Sequence, residues 1–195
     1  HLLQAHGTQD QPAHGQCASV QASPNSPMED IDTLLRCARA SLGEGVQVLR
    51  LQGAPTIRAI REETQVPIIG LIKRDYPGSP VYITPTMCEV DDLLQTGCEV
   101  IALDGTARPR SGGETFANLV ARIHEAGRLV MADCDTVESA RLALEQGADL
   151  VGTTLSGYTA DSEEVSGPDL AMVSELAKLG APVIAEGRYS GLWQV

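Results

Sequence analysis

The sequence predicts a (β/α)8 TIM barrel in which seven βα units are readable and the eighth is missing from this chain. Three observations carry that expectation. Seven short runs, most of them rich in Val, Ile and Leu, begin 20 to 33 residues apart, about one βα unit each. The runs are continuously apolar rather than alternating, which suits strands covered on both faces of a parallel sheet. No Gly-rich dinucleotide fingerprint marks the units, which weighs against a doubly wound sheet of the same rhythm.

The expected strands are Cys17–Ala22, Val46–Leu51, Val66–Ile72, Glu99–Leu103, Leu129–Asp133, Asp149–Thr154 and Pro182–Glu186. Between the first two, Met28–Leu42 places Ile31, Leu34, Leu35, Ala38 and Leu42 on one helical face. Val137–Gln146 does the same with Val137, Ala140 and Leu144, and Leu170–Leu179 with Met172, Val173, Leu176 and Leu179. Gly45, Gly97, Gly127, Gly147 and Gly180 each sit after a helical pattern and before a strand, where a left-handed cap residue is wanted. Thr136 stands at an N-cap, with Glu138 in the first turn. After the seventh strand nine residues remain, too few for an eighth βα unit, so the sequence reads as a fragment. It begins with His1, not Met, and residues 1–16 are polar and aperiodic, a disordered or extraneous segment before an incomplete barrel domain over 17–195.

Composition narrows the function classes. Of 195 residues, 43% are hydrophobic, enough for a single core and too many for a disordered chain. The longest apolar stretch, Val66 to Ile72, falls far short of the about 20 residues of a membrane span, so a soluble chain is expected. Fourteen basic against 26 acidic residues give a net charge of −12, which repels a phosphate backbone at long range and argues against nucleic acid as a partner. Cys17, Cys37, Cys88, Cys98 and Cys134 are odd in number, scattered and without a C-x-x-C pair, as expected for reduced thiols in a cytoplasmic protein. His1, His6, His14 and His124 fall in the N-terminal segment or on a polar helix face, so no metal cluster is evident. Tyr76 and Tyr158 either lie over a sugar ring or pack a loop.

In a parallel barrel the chemistry sits where the strands end. The polar residues at those points are Gln21, Arg50, Lys73 with Arg74 and Asp75, Asp104, Asp133, Thr153 with Thr154, and Glu186 with Arg188. Lys73 ends an apolar run, and desolvation together with Arg50 or Arg74 would lower its pKa and free the amine as a base or Schiff-base nucleophile. The alternative is a lysine paired to Asp75 or Asp104 that only closes the barrel end. Glu186 either exchanges a proton with a substrate hydroxyl or forms a salt bridge to Arg188 or Arg50. Asp133 either orients Lys73 or binds a hydroxyl, and Gln21 and Arg50 fit positioning roles, since an amide and a guanidinium fix ligand oxygens.

These residues sit in familiar company. Ile69-Gly70-Leu71-Ile72-Lys73-Arg74-Asp75-Tyr76, then Tyr82-Ile83-Thr84-Pro85-Thr86, resembles the signature of the N-acetylmannosamine-6-phosphate 2-epimerase family. So do Ser19-Val20-Gln21-Ala22, Ala102 through Arg110, Met131-Ala132-Asp133, Thr153 through Thr159 and Ile184-Ala185-Glu186-Gly187-Arg188, all in the family's order. The resemblance implies a barrel that interconverts N-acetylmannosamine 6-phosphate and N-acetylglucosamine 6-phosphate in amino-sugar and sialic-acid catabolism, without a cofactor or metal. By matching positions, Lys73 is implied as catalytic base and acid and Glu186 as its carboxylate partner. Gln21, Arg50, Asp133, Thr153, Gly187 and Arg188 are implied to bind the sugar phosphate. Members of the family are often oligomeric, which allows a homo-oligomer although nothing in the sequence fixes a state, and a sugar kinase is a fitting fused or separate partner.

Two departures accompany the match. The family continues Arg-Ala-Asn-Gly after strand two where this chain has Arg50-Leu51-Gln52-Gly53. The family's phosphate loops follow strands seven and eight, and here Gly187 and Arg188 only begin them. Two other readings stand beside the epimerase: a non-catalytic relic or segment of a larger fused protein, and an aldolase or synthase using Lys73 as a Schiff-base lysine.

Overall fold

The computed structural model describes residues 15–23 and 26–189, so most of the expected N-terminal segment 1–16, and residues 190–195, lie outside the described residues. Strands and helices alternate along the chain as β1 (Cys17–Val20), α1 (Ile31–Gly43), β2 (Val48–Gln52), α2 (Ala54–Arg61), β3 (Ile68–Leu71), α3 (Met87–Leu94) and β4 (Val100–Asp104). After a single 3-10 turn at Ser111–Gly113 come α4 (Phe116–Glu125), β5 (Leu129–Asp133), α5 (Val137–Glu145), β6 (Leu150–Gly152), α6 (Leu170–Ala177) and β7 (Val183–Ile184).

The seven strands form one sheet in the order of the chain, each parallel to the next. Spatial order that never reverses distinguishes a barrel-type sheet from a doubly wound one, which needs a switch point. Alternate residues divide two cores. Leu49, Leu51, Ile68, Ile101, Leu103, Val130, Ala132 and Val151 face outward and pack with the helices, where Ile57, Leu93, Leu119, Ile123 and Leu176 meet them. Ile69, Leu71, Val100, Ala102, Met131 and Leu150 face inward and fill the concave side, with Val48 and Ile184 packed against them. A strand with apolar neighbours on both faces has no polar face to show, which is why these strands read as unbroken apolar runs.

Local signals account for the helix boundaries. Asp30 accepts from Thr33 N at 2.9 Å, Thr115 from Asn118 N at 3.2 Å, Thr136 from Ser139 N at 3.1 Å and Asp169 from Met172 N at 2.9 Å. Each satisfies a backbone donor that the helix leaves open. The five cap glycines all have positive φ; at Gly147, where φ is 101°, a side chain would be strained.

β5 coincides with its expected run and β4 is displaced by one residue, while the other strands are shorter than theirs. The run Pro182–Glu186 contracts to Val183–Ile184, because Pro182 has no N–H to give and the backbone of Glu186 is taken by a side chain. At the N-terminal ends of the strands one device recurs. Glu99 N donates to Ile68 O at 3.2 Å while the Glu99 carboxylate accepts from Ile68 N at 2.9 Å. Asp149 N donates to Val130 O at 2.9 Å while the Asp149 carboxylate accepts from Val130 N at 2.8 Å. Arg61 and His124 partner the same two carboxylates, at 2.6 and 2.8 Å.

Candidate active site at the strand carboxyl ends

The opposite, C-terminal ends of the strands gather the polar residues. Inward-facing Arg50 on β2 is only 1% exposed, a full charge inside the concave core. Its Nη2 donates to Asp133 Oδ2 at 2.8 Å, its Nη1 rests 3.5 Å from Met131 Sδ, and its Nε lies 3.0 Å from Glu186 Oε2. The Nε contact is an ion pair without hydrogen-bond alignment, so that N–H keeps its donor unspent. Burial works against the guanidinium charge, but the Asp133 and Glu186 carboxylates outweigh it and hold the pKa above its ordinary value.

Asp133 closes β5 and is wholly buried, with its Oδ1 accepting from Thr154 Oγ1 at 2.7 Å. The same hydroxyl lies 3.3 Å from Glu186 Oε2 and so bridges the two carboxylates. Glu186 stands two residues beyond β7, and burial pushes its pKa above the usual carboxylate range. Arg50 opposes that shift and Asp133 reinforces it. A carboxyl so placed is suited to carry a proton closer to neutral pH than an exposed glutamate. Its salt bridge to Arg50 coexists with this; none forms with Arg188 among the described residues.

Lys73 leaves β3 two residues past its end, at the rim of this cluster. The residue as a whole is exposed at the mouth, yet desolvation of its amine and then Arg50 press the pKa below the ordinary lysine value, against the opposing pull of Glu186 and Asp133. Arg74, the other cation considered for that role, instead pairs with Glu89 at 2.8 Å. Among the described residues no carboxylate forms an ion pair with Lys73. Asp104, one alternative partner, is turned to Arg108 at 2.6 Å and to Thr106 Oγ1 at 2.6 Å. An unpaired amine of lowered pKa beside a fixed positive charge is the condition a proton-abstracting lysine needs.

The remaining expected residues fall as follows. Gln21, just past β1, donates to Ser19 Oγ at 2.7 Å and keeps its Oε1 buried and without a partner. Gln52, on the neighbouring strand, also holds an unpartnered buried Oε1. Thr153 has its hydroxyl committed to Glu186, donating to the carbonyl at 2.7 Å and accepting from N–H at 3.0 Å. Gly187 and Arg188 both have positive φ, at 105° and 58°. Arg188 Nε donates to Gly167 O at 2.8 Å and its guanidinium lies 5.0 Å above the Tyr158 ring, while its two Nη groups make no hydrogen bond among the described residues. Tyr158 therefore meets an arginine, and Tyr76 packs a loop, its Oη donating to Glu89 at 2.9 Å. Beside β1 and β7 a cavity of about 640 Å³ opens, lined by Cys17, Ser19, Arg50, Ile184, Glu186 and Arg188.

Strand-end reasoning named Thr154 beside Thr153, but the positions implied by the resemblance kept Thr153 alone, whereas it is Thr154 that touches both carboxylates. Alternation along β6 would have found it, since two residues beyond the inward position of Gly152, opposite Asp133, comes Thr154. Among the described residues no three His, Cys, Asp or Glu side chains gather as metal ligands.

Comparison with known proteins gives the family. The family model NanE, described as "Putative N-acetylmannosamine-6-phosphate epimerase", matches residues 34–194. A "Putative N-acetylmannosamine-6-phosphate 2-epimerase" of Edwardsiella ictaluri is 45% identical over 172 residues, covering 88% of this chain and 72% of its own length. A protein of the same description from Clostridium perfringens is 47% identical over 171 residues, covering 87% and 77%. The solved structure of the N-acetylmannosamine-6-phosphate 2-epimerase from Clostridium perfringens superposes with a TM-score of 0.90 at 41% identity, over 96% of this chain and 86% of that one. Thiamine phosphate pyrophosphorylase from Pyrococcus furiosus, at TM-score 0.59 and 14% identity, shares the fold alone. With its motifs in order, its strand-end cluster in place and these matches over most of its length, the chain belongs to the N-acetylmannosamine-6-phosphate epimerase family.

Proposed function

We propose that the chain interconverts N-acetylmannosamine 6-phosphate and N-acetylglucosamine 6-phosphate by moving a proton at C2, with Lys73 as the base. The observation that carries this is the unpaired Lys73 amine, lowered in pKa by burial and Arg50, beside a buried Arg50–Asp133–Glu186 cluster. In the open-chain sugar the C2–H bond is weakened by the C1 aldehyde. The neutral Lys73 amine takes the proton, the C–H electron pair forms the C1–C2 double bond, and the aldehyde oxygen takes up the charge as an enolate. A proton returned to the opposite face of C2 reverses those electron movements and inverts the centre.

Arg50, Gln21 and Asp133 hold substrate oxygens or the groups that do so, with the free Nε–H of Arg50 and the unpartnered Oε1 of Gln21 as the available donor and acceptor. Glu186, its pKa raised, exchanges a proton with a sugar oxygen during ring opening or reprotonation. Thr153 acts through the backbone of Glu186, and Gly187 with the Arg188 Nη groups receives part of the phosphate. The reading further expects a cytoplasmic homo-oligomer, with a sugar kinase supplying the 6-phosphate. Among the described residues no helix is long and apolar enough to cross a membrane.

The test is exchange at C2. Protein and N-acetylmannosamine 6-phosphate are incubated in D2O and followed by NMR. Deuterium at C2 of both epimers, lost in Lys73→Ala, is the expected result. Epimerisation without solvent exchange, or exchange that survives Lys73→Ala, overturns the assignment.

A further inference from the structure

Between β3 and α3 the chain leaves the barrel and returns as a hairpin, and Lys73 lies on its outgoing arm. Lys73 pairs antiparallel with Ile83. Arg74 N donates to Tyr82 O at 2.9 Å and Thr84 N to Ile72 O at 2.7 Å. The outer half is tied to α3, where Tyr76 Oη and Arg74 Nη1 both reach Glu89 Oε1, at 2.9 and 2.8 Å. The inner half closes at Thr84, fully buried, with φ of 43°. That is the left-handed region, costly for a β-branched residue and retained only where the surroundings over-determine it.

Arg110 supplies that constraint. Its Nη1 donates to Thr84 O and Pro85 O, each at 3.3 Å, and its Nη2 donates to Asp104 O, the last carbonyl of β4. The guanidinium is buried, rests 5.8 Å from the Phe116 ring centroid, and forms no ion pair among the described residues. A buried charge left without a carboxylate is expensive unless hydrogen bonds offset it, and here three bonds to main-chain oxygens do so. Thr84 Oγ1 completes the link by accepting from Ile72 N at 3.2 Å, one residue before Lys73.

We infer that Arg110 is a positioning residue for Lys73: it fastens the returning arm of the hairpin to the end of β4 and, through Thr84 and Ile72, fixes where the Lys73 amine stands beside Arg50. The inference rests on Lys73 being the base. A lysine at 110 has a point charge in place of a planar fork and is unable to span three carbonyls in that geometry. The hairpin would relax outward and carry the Lys73 amine away from Arg50 and its walls, toward the behaviour of a free lysine.

The experiment reads the Lys73 amine directly. The chain has two lysines, so the Lys73 adduct is readily resolved from that of Lys178, one residue past the end of α6, and a free lysine amide in the same mixture is the standard. Competitive acetylation with acetic anhydride from about pH 7 to 11, resolved by mass spectrometry, gives a midpoint for each amine. In the wild type the Lys73 midpoint is expected below that of the free lysine amide; equal midpoints would overturn the assignment of Lys73 as base, and the inference with it. In Arg110→Lys the Lys73 midpoint should rise by at least about half a pH unit, and kcat for C2 exchange should fall at least about tenfold with KM moved far less. Thr84→Val, which removes the hydroxyl but keeps the shape, should shift the midpoint in the same direction by less. If Arg110→Lys lowers the melting temperature but leaves the Lys73 midpoint and the kcat of the folded protein unchanged, Arg110 is merely structural and the inference is wrong. Should Arg110→Lys fail to fold, Thr84→Val decides alone, and an unmoved midpoint there overturns it.

Discussion

Replacing Arg50 by Met removes the one cation between two carboxylates. In the wild type the guanidinium is 2% exposed at the side chain, 2.8 Å from Asp133, itself 0% exposed, and 3.0 Å from Glu186 at 24%. The Asp133 contact is the costly one to break, because water has no access to either partner. Removing one member of a buried pair costs about 3–5 kcal/mol, chiefly because the other charge is left uncompensated. For a domain of this size each kcal/mol lowers the melting temperature by about 2–4 °C, so the expected fall is roughly 6 to 20 °C. Thermal unfolding followed by circular dichroism at neutral pH measures it. The double variant Arg50→Met/Asp133→Leu should recover a substantial part, since an apolar pair replaces an orphaned charge. A single variant that melts within about 2 °C of the wild type would refute the view that Arg50 neutralises a buried carboxylate.

Three more outcomes follow from the same cluster. Because the folded pKa of Lys73 is lowered, the unfolded chain holds more protons than the folded one between that value and 10.5; stability should rise with pH across this window and fall as pH drops through the folded value. Lys73→Met should flatten that slope in urea unfolding while abolishing C2 exchange. Glu186 has the opposite sign: its folded pKa lies above 4.5, so its contribution is full at lower pH and is lost as pH rises through the folded value. Glu186→Gln should remove that loss in urea unfolding carried out as a function of pH, and should slow exchange by about 10²–10⁴-fold. Thr154→Val takes away the hydroxyl shared by Asp133 and Glu186, and should cost about 1.5–3 kcal/mol in chemical denaturation and raise the apparent pKa in the exchange profile that reports Glu186.

The barrel-type fold was legible because its signals are local and repeated. Continuous apolar runs mark strands buried on two faces, and Gly97 or Gly147 marks the return from helix to strand. The strand-end residues were legible for the same reason: a charge such as Arg50 or Asp133 within an apolar run has few places to go except the concave face. What escaped was pairing at a distance. Residue type does not separate Thr153, spent on the Glu186 backbone, from Thr154, spent on two carboxylates; only the inward phase of β6 does. Arg110 lies within a quoted motif, yet its three carbonyl partners come from positions 84, 85 and 104, and only the folded hairpin brings them together. Glu89 would pass for a surface helix residue, but it is fully buried under Tyr76 and Arg74.

The paired bonds of Glu99 with Ile68 and of Asp149 with Val130 lie at the end of the barrel away from the cluster. Each engages both the N–H and the C=O of a single residue, so a slip of one position would break both bonds and turn every inward side chain of that strand outward. The phase of the sheet is thereby written at one end and the chemistry at the other. Loops over the mouth are free to diverge toward new sugars without erasing the instruction that aligns the strands beneath them.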